Sequence, residues 1–251
     1  MPRFFVPTDN FDGDIVSIFG EDARHVSRSL RMAKGECITV CDMKGYEYEC
    51  VLEEFINDTE VRARILDKKK SENEPPYAIC VYQGSPKGDK LEYIVQKAVE
   101  LGAARIVPFL SERCISRPDK KSGEKKALRL SKIAHEAAKQ SGRAVCVEVG
   151  DFCSFERALE AAKDCELKLF FYEGDGTEPL PSVLASYRKE HGTPANIAIF
   201  IGSEGGFSLS ECERAKEYGF TLCGLGSRIL RTETASGCVL SCLMYEFELS
   251  K

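Results

Sequence analysis

The stretch that decides the fold is NIAIFIGSEGGFS, residues 196–208. Its first half, Asn196–Ile201, is a mainly apolar run, which is typical of a strand buried on both faces of a sheet. Its second half places three glycines directly after that strand and ends at Ser208, which with Glu211 forms a helix-capping pattern. A strand, a glycine-rich turn and a helix in this order predict an α/β fold with a loop at the strand's carboxyl end.

The same alternation extends outward from residue 78 to the carboxyl terminus. Strands are predicted at residues 78–83, 105–110, 146–149, 167–172 and 196–201, with a last one ending at Cys223, and helices at residues 90–101, 124–141, 155–163, 181–191, 210–218 and 234–249. Because parallel strands need crossover helices, this pattern predicts a mainly parallel sheet covered on both faces. Such sheets bind ligands at the carboxyl ends of their strands, so the loops after Tyr172, Ile201 and Cys223 are the expected site.

The amino-terminal part has a β-rich pattern. Strands are predicted at residues 36–40, 46–55 and 61–66, with a hairpin turn at residues 42–45. Residues 67–76 are polar, charged and closed by two prolines, which indicates a domain boundary. We therefore predict a small domain at residues 1–70 and an α/β domain at residues 75–251.

Composition narrows the classes of protein. Apolar residues make up 43% and charged residues 30%, which are ordinary values for a folded domain. The amino terminus does not resemble a signal peptide, and no run approaches the roughly eighteen apolar residues of a membrane span, so we expect a cytoplasmic protein. The twelve cysteines form no CxxC pair, and with only three histidines they favour buried thiols over disulfides or a metal site.

The charge is unevenly distributed. A net charge of −5 argues against a protein that binds nucleic acid over most of its surface. However, five cations crowd the first 35 residues, and the helix predicted at residues 124–141 has a basic side. The sequence therefore leaves open a local basic surface on an otherwise acidic protein.

A second cluster, residues 225–235, follows the last strand. Glu233 stands where the final helix begins, and the helix dipole favours a carboxylate there, so it is explained equally well as a capping acid. A cation gains no stabilisation from the helix dipole at that position, which makes Arg231 the stronger candidate for contact with a ligand or RNA. The loop at residues 202–208 lacks the P-loop and dinucleotide patterns, and taken alone it is equally a tight turn without a ligand.

These residues carry a family resemblance. Residues 201–208 (IGSEGGFS) and 225–235 (LGSRILRTETA) resemble the two cofactor-loop motifs of the bacterial 16S ribosomal RNA uridine N3-methyltransferases, a family in the knotted SPOUT class. Further matches lie at residues 1–5 (MPRFF), at His25 through Arg31 with Gly35, and at residues 97–103 (KAVELGA) continuing to Pro108. The resemblance spans almost the whole chain in the family's order.

Two positions depart from the family pattern. Ser203 stands where proline is usual, which would loosen the cofactor loop slightly. Lys139 stands where glutamate often precedes Gln-Ser-Gly-Arg, which would remove an acidic partner for an arginine.

The resemblance implies a fold, a reaction and partners. The fold would be a small PUA-like β-barrel that binds RNA, followed by a SPOUT methyltransferase domain whose carboxyl-terminal segment forms a trefoil knot, in a homodimer. The reaction would be methyl transfer from S-adenosylmethionine to N3 of uracil 1498 of 16S ribosomal RNA in the small ribosomal subunit. The implied cofactor-binding residues are Tyr172, Glu173, Ile201, Gly202, Ser203, Glu204, Gly205, Gly206, Leu225, Gly226, Ile229 and Leu230.

The expected chemistry follows from the substrate. The uracil imide proton has a pKa well above neutral, so N3 is a poor nucleophile until the anion is stabilised. A cation near the uracil oxygens would do so, and Arg231 is the first candidate, with Glu204 and Glu233 as bases or orienting groups. In-line placement of the two reacting atoms needs no metal. The expected RNA-binding residues are Arg3, His25, Arg28, Arg31, Lys34, Lys87, Arg113, Arg117 and Arg143, with Lys90 as a further candidate, whereas Phe4 and Phe5 suit the core.

Two other functions stay open on the sequence alone. One is a SPOUT enzyme that methylates another ribosomal position, a ribose 2′-hydroxyl or a transfer RNA base, which mass mapping of the modified nucleoside would reveal. The other is an RNA-binding protein without catalysis, in which case calorimetry would detect no binding of S-adenosylmethionine.

Overall fold

The structure is a computed structural model that describes residues 1–250. It divides into two compact units: the first comprises residues 1–74 and 138–146, and the second comprises residues 75–137 together with the chain from residue 147 onward. The sequence analysis placed residues 138–146 in the second domain. They pack with the first because Arg143 Nη2 lies 2.7 Å from the Glu74 carboxylate and Asn73 Nδ2 donates a 2.8 Å hydrogen bond to the Gly142 carbonyl.

One curled sheet forms the first unit. Its strands are β1 (Arg3–Phe5), β2 (Phe11–Asp12), β3 (Ile15–Phe19), β4 (Cys37–Cys41), β5 (Tyr46–Asn57) and β6 (Glu60–Lys70), in the order β1-β4-β5-β6-β3-β2. β1 runs parallel to β4, and all other neighbours are antiparallel. Helix α1 (Gly20–Arg24) and a π-helical turn, His25–Ser29, follow β3.

The three strands predicted in this unit are present, but the structure adds to them. β1 and β3 were not predicted, because their partners lie far away in the sequence: Phe4 pairs with Val40. Strand β6 also runs through the lysines assigned to the linker. Lys68 pairs with Tyr48 across the strands, and its ammonium lies 4.4 Å and 5.3 Å from the ring centres of Tyr46 and Tyr48, so cation–π contact favours strand over linker here.

The second unit is an α/β sheet whose strands all pair in parallel. In chain order it contains β7 (Ala78–Gly84), α2 (Lys90–Glu100), β8 (Ala103–Leu110), α3 (Lys120–Gln140), β9 (Glu148–Val149), β10 (Cys153–Ser154), α4 (Phe155–Ala162), β11 (Leu167–Phe171), β12 (Glu178–Pro179), α5 (Leu180–His191), β13 (Asn196–Ile201), α6 (Leu209–Glu217), β14 (Thr221–Gly224) and α7 (Thr232–Met244), then a π-helical turn, Tyr245–Leu249. The strand order is β10-β8-β7-β13-β11-β14-β12, with β9 beside β8. The predicted parallel sheet is confirmed.

An aromatic cluster fills one side of this sheet. Phe109, Phe170 and Phe200 from three strands pack with Phe155 and with Phe207, which belongs to the loop after β13. The ring centres of Phe170 and Phe207 are 4.1 Å apart, and Phe207 is fully buried. Aromatic contacts of this kind contribute about 0.5–1.5 kcal/mol each beyond area burial, so the far end of that loop is anchored in the core.

The cysteines are free thiols. Burial raises the pKa of Cys41 to about 11 and that of Cys223 to about 12, which makes both unreactive near neutral pH. Within residues 1–250, no three His, Cys, Asp or Glu side chains are grouped to hold a metal ion. No helix in the same range combines the length and apolar character needed to cross a membrane.

Candidate functional site

Three neighbouring strands end at one cavity in the second unit. β11 lies between β13 and β14, and because all three run parallel, their carboxyl ends share an edge of the sheet. The loops that follow them line a cavity of about 510 Å³, a size suited to a nucleoside-sized ligand. The lining residues from these loops and their strand ends include Phe171, Tyr172, Glu173, Thr177, Ile201, Gly202, Ser203, Glu204, Gly206, Cys223, Gly224, Leu225, Gly226, Ser227, Arg228, Ile229, Leu230 and Arg231. The expected convergence of the three loops is observed.

Gln83, at the end of β7, holds the loop after β13 by hydrogen bonds. Its side chain is fully buried, and Nε2 lies 3.2 Å from the Gly202 carbonyl and 2.8 Å from Thr232 Oγ1. Thr232 Oγ1 in turn donates a 2.6 Å hydrogen bond to the Gly202 carbonyl. One amide therefore links the end of β7, the loop after β13 and the start of α7. Buried hydrogen bonds of this kind are costly to lose, because the partners stay desolvated.

Two glycines allow close contacts at this loop, one with a backbone and one with a side chain. A Cβ on Gly84 would lie 2.6 Å from the Ser203 backbone nitrogen, so only glycine lets β7 approach the loop this closely. Gly206 has φ +62°, and a Cβ there would lie 2.5 Å from the Glu173 carboxylate. The Glu173 side chain from the loop after β11 thus lies directly over the loop after β13.

The outer side of the same loop is held by the segment after β8. Glu211 closes the predicted capping box with Ser208 and also accepts a 2.8 Å hydrogen bond from the Glu112 backbone N–H. Arg113 Nη1 donates to the Gly205 carbonyl at 3.3 Å. The loop is therefore fixed at both ends and along one side.

A lysine and two glutamates form a charged cluster at the cavity wall. Lys90 Nζ lies 2.8 Å from Glu204 Oε1 and 3.7 Å from Glu233 Oε2. Partial burial by itself would raise the pKa of Glu204, but hydrogen bonds from Lys90 and from backbone N–H groups, including that of Lys87, outweigh it and hold the pKa below its usual value. The hydrogen bond to Glu204 likewise raises the pKa of Lys90. Both groups are charged at neutral pH.

The segment after β14, residues 225–231, is much more open. Ile229 is 85% exposed, and Arg228 and Arg231 are exposed as well. Arg231 caps α7 with its carbonyl, which accepts hydrogen bonds of 2.8 Å from Thr234 and Ala235. Its guanidinium bonds to no side chain or carbonyl of residues 1–250, so it is available to a ligand.

Residues 73–244 match the family of the RNA methyltransferase domain. The chain belongs to this RNA methyltransferase family. The methyltransferase is 36% identical to the ribosomal RNA small subunit methyltransferase E of Bacillus subtilis, over 99% of this chain and 98% of the relative. It is 30% identical to the protein of the same name from Synechocystis, over 93% of this chain and 74% of the relative.

Solved structures agree with the sequence relatives. A ribosomal RNA small subunit methyltransferase E from Neisseria gonorrhoeae, crystallised with S-adenosylmethionine, is similar with a TM-score of 0.84, 31% identity and 97% coverage of both chains. The family resemblance first seen in residues 201–208 and 225–235 is thus confirmed for the methyltransferase.

Most of the predicted cofactor-binding residues surround the cavity. Of that set, only Gly205 is absent from the lining; it faces Arg113 instead. Arg231 and Glu204 of the predicted catalytic set line the cavity, and Glu233 reaches it through Lys90. These positions are compatible with the predicted roles, which remain predictions.

Several lining residues were missed by the sequence reasoning. Arg228 is the charged one, and the others are Phe171, Thr177, Cys223, Gly224, Ser227, Thr232 and Ala235; Lys90 was expected only as a contact for RNA. The rule that placed the site at strand ends also covers the loop after β7, so Lys90 was within reach of that argument. Gln83 carried a signal too, since it is a polar residue in an apolar strand.

Four of the predicted RNA-binding residues are exposed on the first unit. His25, Arg28, Arg31 and Lys34 lie on or after the π-helical turn, and Arg28 forms an ion pair with Asp58. Phe4 and Phe5 are buried, which confirms their assignment to the core. His25 stays at the surface, edge-on to Phe4 with 6.2 Å between ring centres.

The side chains of Arg3 and Arg143 are largely buried and form ion pairs within the first unit. The Arg3 side chain is 16% exposed and lies 3.1 Å from the Glu47 carboxylate, with a further contact of 2.9 Å to Cys41 Sγ. The Arg143 side chain is 5% exposed and pairs with Glu74, which supplies the acidic partner expected to be missing beside Lys139. Lys139 itself pairs with Asp22 at 2.9 Å. Both guanidinium groups bond within the first unit, and their contact with phosphates stays a prediction.

In the second unit, Lys87 and Arg113 are exposed beside the cavity loop, and Arg117 is exposed in the turn after β8. Its Nε donates to the Cys114 carbonyl at 3.0 Å, and Nη2 donates to the carbonyls of Ser111 and Glu112. The guanidinium is thus occupied in closing the turn after β8. Arg117 is nevertheless exposed, so its contact with RNA stays a prediction.

Proposed function

We propose that the methyltransferase transfers the methyl group of S-adenosylmethionine to N3 of uracil 1498 of 16S ribosomal RNA in the small ribosomal subunit, in the cytoplasm. The observation that carries this proposal is the cavity between the three loops, because two of these loops, residues 201–208 and 225–231, match the cofactor motifs. The relatives named as small subunit methyltransferases support the RNA substrate.

The residues around the cavity fit the methyl donor. Leu225, Ile229 and Leu230 offer apolar surface for an adenine ring. The hydroxyl of Ser203 is buried without a hydrogen-bond partner in residues 1–250, so it can serve a polar atom of the ligand. The carboxylates of Glu173 and Glu204 complement the positive charges of the sulfonium and the amino group.

When bound, the donor supplies an electrophilic methyl group on a sulfonium. The protein's part is to hold the uracil in line and to favour its imide anion. Arg231 suits the second task because its exposed guanidinium borders the cavity and lacks a protein partner. Glu204 is a weak base because its pKa is lowered, so we assign it the role of orienting Lys90 and the loop. Glu233 remains the alternative carboxylate for proton removal.

The first unit would then be a PUA-like barrel that captures RNA. Its curled six-stranded sheet and the exposed His25, Arg28, Arg31 and Lys34 support this assignment. Cations can meet phosphates, and an exposed imidazole can stack on a base.

We further propose that the carboxyl-terminal segment forms a trefoil knot. After β14 the chain returns past β11 and β13, and Thr232 bonds to groups at the ends of both β7 and β13. A return across strands already laid down, beneath the loop at residues 202–208, supports threading.

The active form would be a homodimer. Tyr245 and Leu249 near the end of the chain are both 64% exposed, and Tyr93 on α2, which packs against α7, is exposed as well. Large apolar side chains that a folded chain leaves exposed are typical of surfaces that a partner covers. Light scattering should give a mass near twice 27.9 kDa.

The proposed function is tested by mass mapping of 16S ribosomal RNA from cells that lack the protein. We expect the N3-methyluridine to be missing and to reappear when small subunits from those cells are incubated with the purified enzyme and S-adenosylmethionine. Methylation at another nucleoside, or at a ribose hydroxyl, would overturn the assigned target.

A further inference from the structure

Helix α3 carries a basic stripe that the proposed site does not use. Between residues 120 and 139 there are seven lysines and arginines and two glutamates, in a protein whose net charge is −5. The apolar side is buried through Ala127, Leu130 and Ala134, so the cations are confined to the other side.

Three of these lysines share one line on the solvent face. Lys121, Lys125 and Lys132 follow each other with exposed Leu128 between them, at steps of four, three and four residues, which keeps them on one side of a helix. At about 1.5 Å per residue the line is about 16 Å long. Each is exposed, and none of their ammonium groups forms an ion pair or hydrogen bond within the described residues. By contrast, Arg129 at the edge of the line is paired with Glu92.

Along the chain, the stripe begins shortly after the segment that contacts the cavity loop. The segment after β8 touches the cavity loop through Arg113 and Gly205, and it then leads directly into α3, whose first turn is capped by Asp119 accepting a 2.8 Å hydrogen bond from the Ser122 N–H. Exposed positive charge therefore continues from the cavity's rim onto the helix.

We propose that Lys121, Lys125 and Lys132 form a phosphate-tracking surface that holds the RNA strand leading away from the target uracil. This inference rests on the proposed function for the identity of the RNA. Its physical basis is charge complementarity: an unpaired row of cations about 16 Å long spans several phosphates of one strand. Contacts of this kind carry no sequence information but position the substrate.

The test is a triple variant, Lys121→Ala with Lys125→Ala and Lys132→Ala, compared with a control that loses the same charge elsewhere on the second unit, Lys163→Ala with Lys189→Ala and Lys216→Ala. Binding of a 16S ribosomal RNA transcript is measured over a series of KCl concentrations. The slope of log affinity against log salt should be shallower by about two for the stripe variant, since each lost phosphate contact removes about 0.7. The control slope should match the wild type.

Turnover separates this inference from the proposed function. With small subunits as substrate, the stripe variant should show a KM raised by about tenfold or more with an unchanged kcat and unchanged affinity for S-adenosylmethionine. Equal slopes for the stripe variant and the wild type, or equal losses in both triple variants, would overturn the inference. A defect seen with subunits but not with naked RNA would also overturn it, because the stripe would then face a ribosomal protein. If the wild type itself fails to methylate the RNA, the proposed function is wrong. The salt slopes would still show whether the three lysines contact RNA phosphates.

Discussion

Two of the three loops that border the cavity differ in how firmly the protein holds them. The loop at residues 202–208 is bonded from below by Gln83, from the side by Arg113, and at its end by the buried ring of Phe207. The loop at residues 225–231 exposes Ile229, and the guanidinium of Arg231 forms no hydrogen bond or ion pair with residues 1–250. The first loop is thus preformed, whereas the second is completed by what binds to it.

The difference suggests that the two loops have separate roles in donor binding and in turnover. A preformed loop lowers the ordering cost of binding the donor, because its conformation is already fixed. An open loop can cover the donor and bring a cation to the acceptor in one movement. Affinity should therefore depend mostly on the preformed loop, and turnover mostly on the open one.

The largest expected effect is on turnover, from Arg231→Ala. Loss of the cation that stabilises the uracil anion should lower kcat about 100- to 1000-fold, while the affinity for S-adenosylmethionine changes by less than about threefold. Single-turnover methylation of small subunits measures the first, and calorimetry the second. Arg228→Ala, in the same loop and equally open, is the control. Retention of more than about a tenth of the wild-type kcat would remove Arg231 from the chemistry.

The next effect is on the preformed loop, from Gln83→Leu. This change leaves the Gly202 carbonyl and the Thr232 hydroxyl with fewer partners in a buried site, at a cost of about 1–3 kcal/mol. We expect donor affinity to fall about tenfold to a hundredfold and the denaturant midpoint to drop. Gln96→Leu, on the exposed side of α2, should change neither. Normal donor affinity in the Gln83 variant would show that the loop is not held from below.

A smaller effect concerns the Lys90–Glu204 pair and pH. The lowered pKa of Glu204 keeps its carboxylate charged above about pH 4.5, and the raised pKa of Lys90 keeps the ammonium charged to above about pH 10.5. The pair's contribution is thus complete between these limits and disappears as pH falls through the folded pKa of Glu204. Glu204→Gln should lower kcat/KM by only a few-fold, with profiles parallel to the wild type from pH 6 to 9 in steady-state assays. If the wild-type pH–rate profile shows a titration near neutral pH that the variant profile lacks, Glu204 is instead the base.

The smallest effect is expected from Ile229→Ala. Because this side chain is 85% exposed in the free protein, its loss should change the free energy of unfolding by less than about 0.5 kcal/mol. If the open loop closes over the donor, the same change should weaken donor binding about threefold to tenfold in calorimetry. Leu209→Ala, at a position 70% exposed outside the cavity, is the matched control. Equal donor affinity in both variants would mean that the loop stays open.

The sequence predicted what depends on local pattern. The strand at residues 196–201 and the capping box at Ser208 and Glu211 follow from neighbouring residues, and both are present as predicted. The meeting of three loops was also predictable, because parallel strands place their carboxyl ends on one edge.

What escaped prediction depends on partners far away in the chain. Gln83 acts through Thr232, and Lys90 through Glu204, each more than a hundred residues distant. The same holds for Arg3, which was expected to contact RNA because of its charge and which pairs with Glu47 of the same unit. A charged residue predicts a need for a partner; it does not say whether that partner is a phosphate or a carboxylate of the same unit.

A crystal structure with S-adenosylmethionine tests the central claim most directly. We predict that the donor lies between the two loops, its adenine against Leu225 and Leu230, with residues 202–208 unmoved and residues 225–231 closed over it so that Arg231 faces the methyl group. A donor bound outside this cavity, or bound there with the two loops separated, would contradict the account.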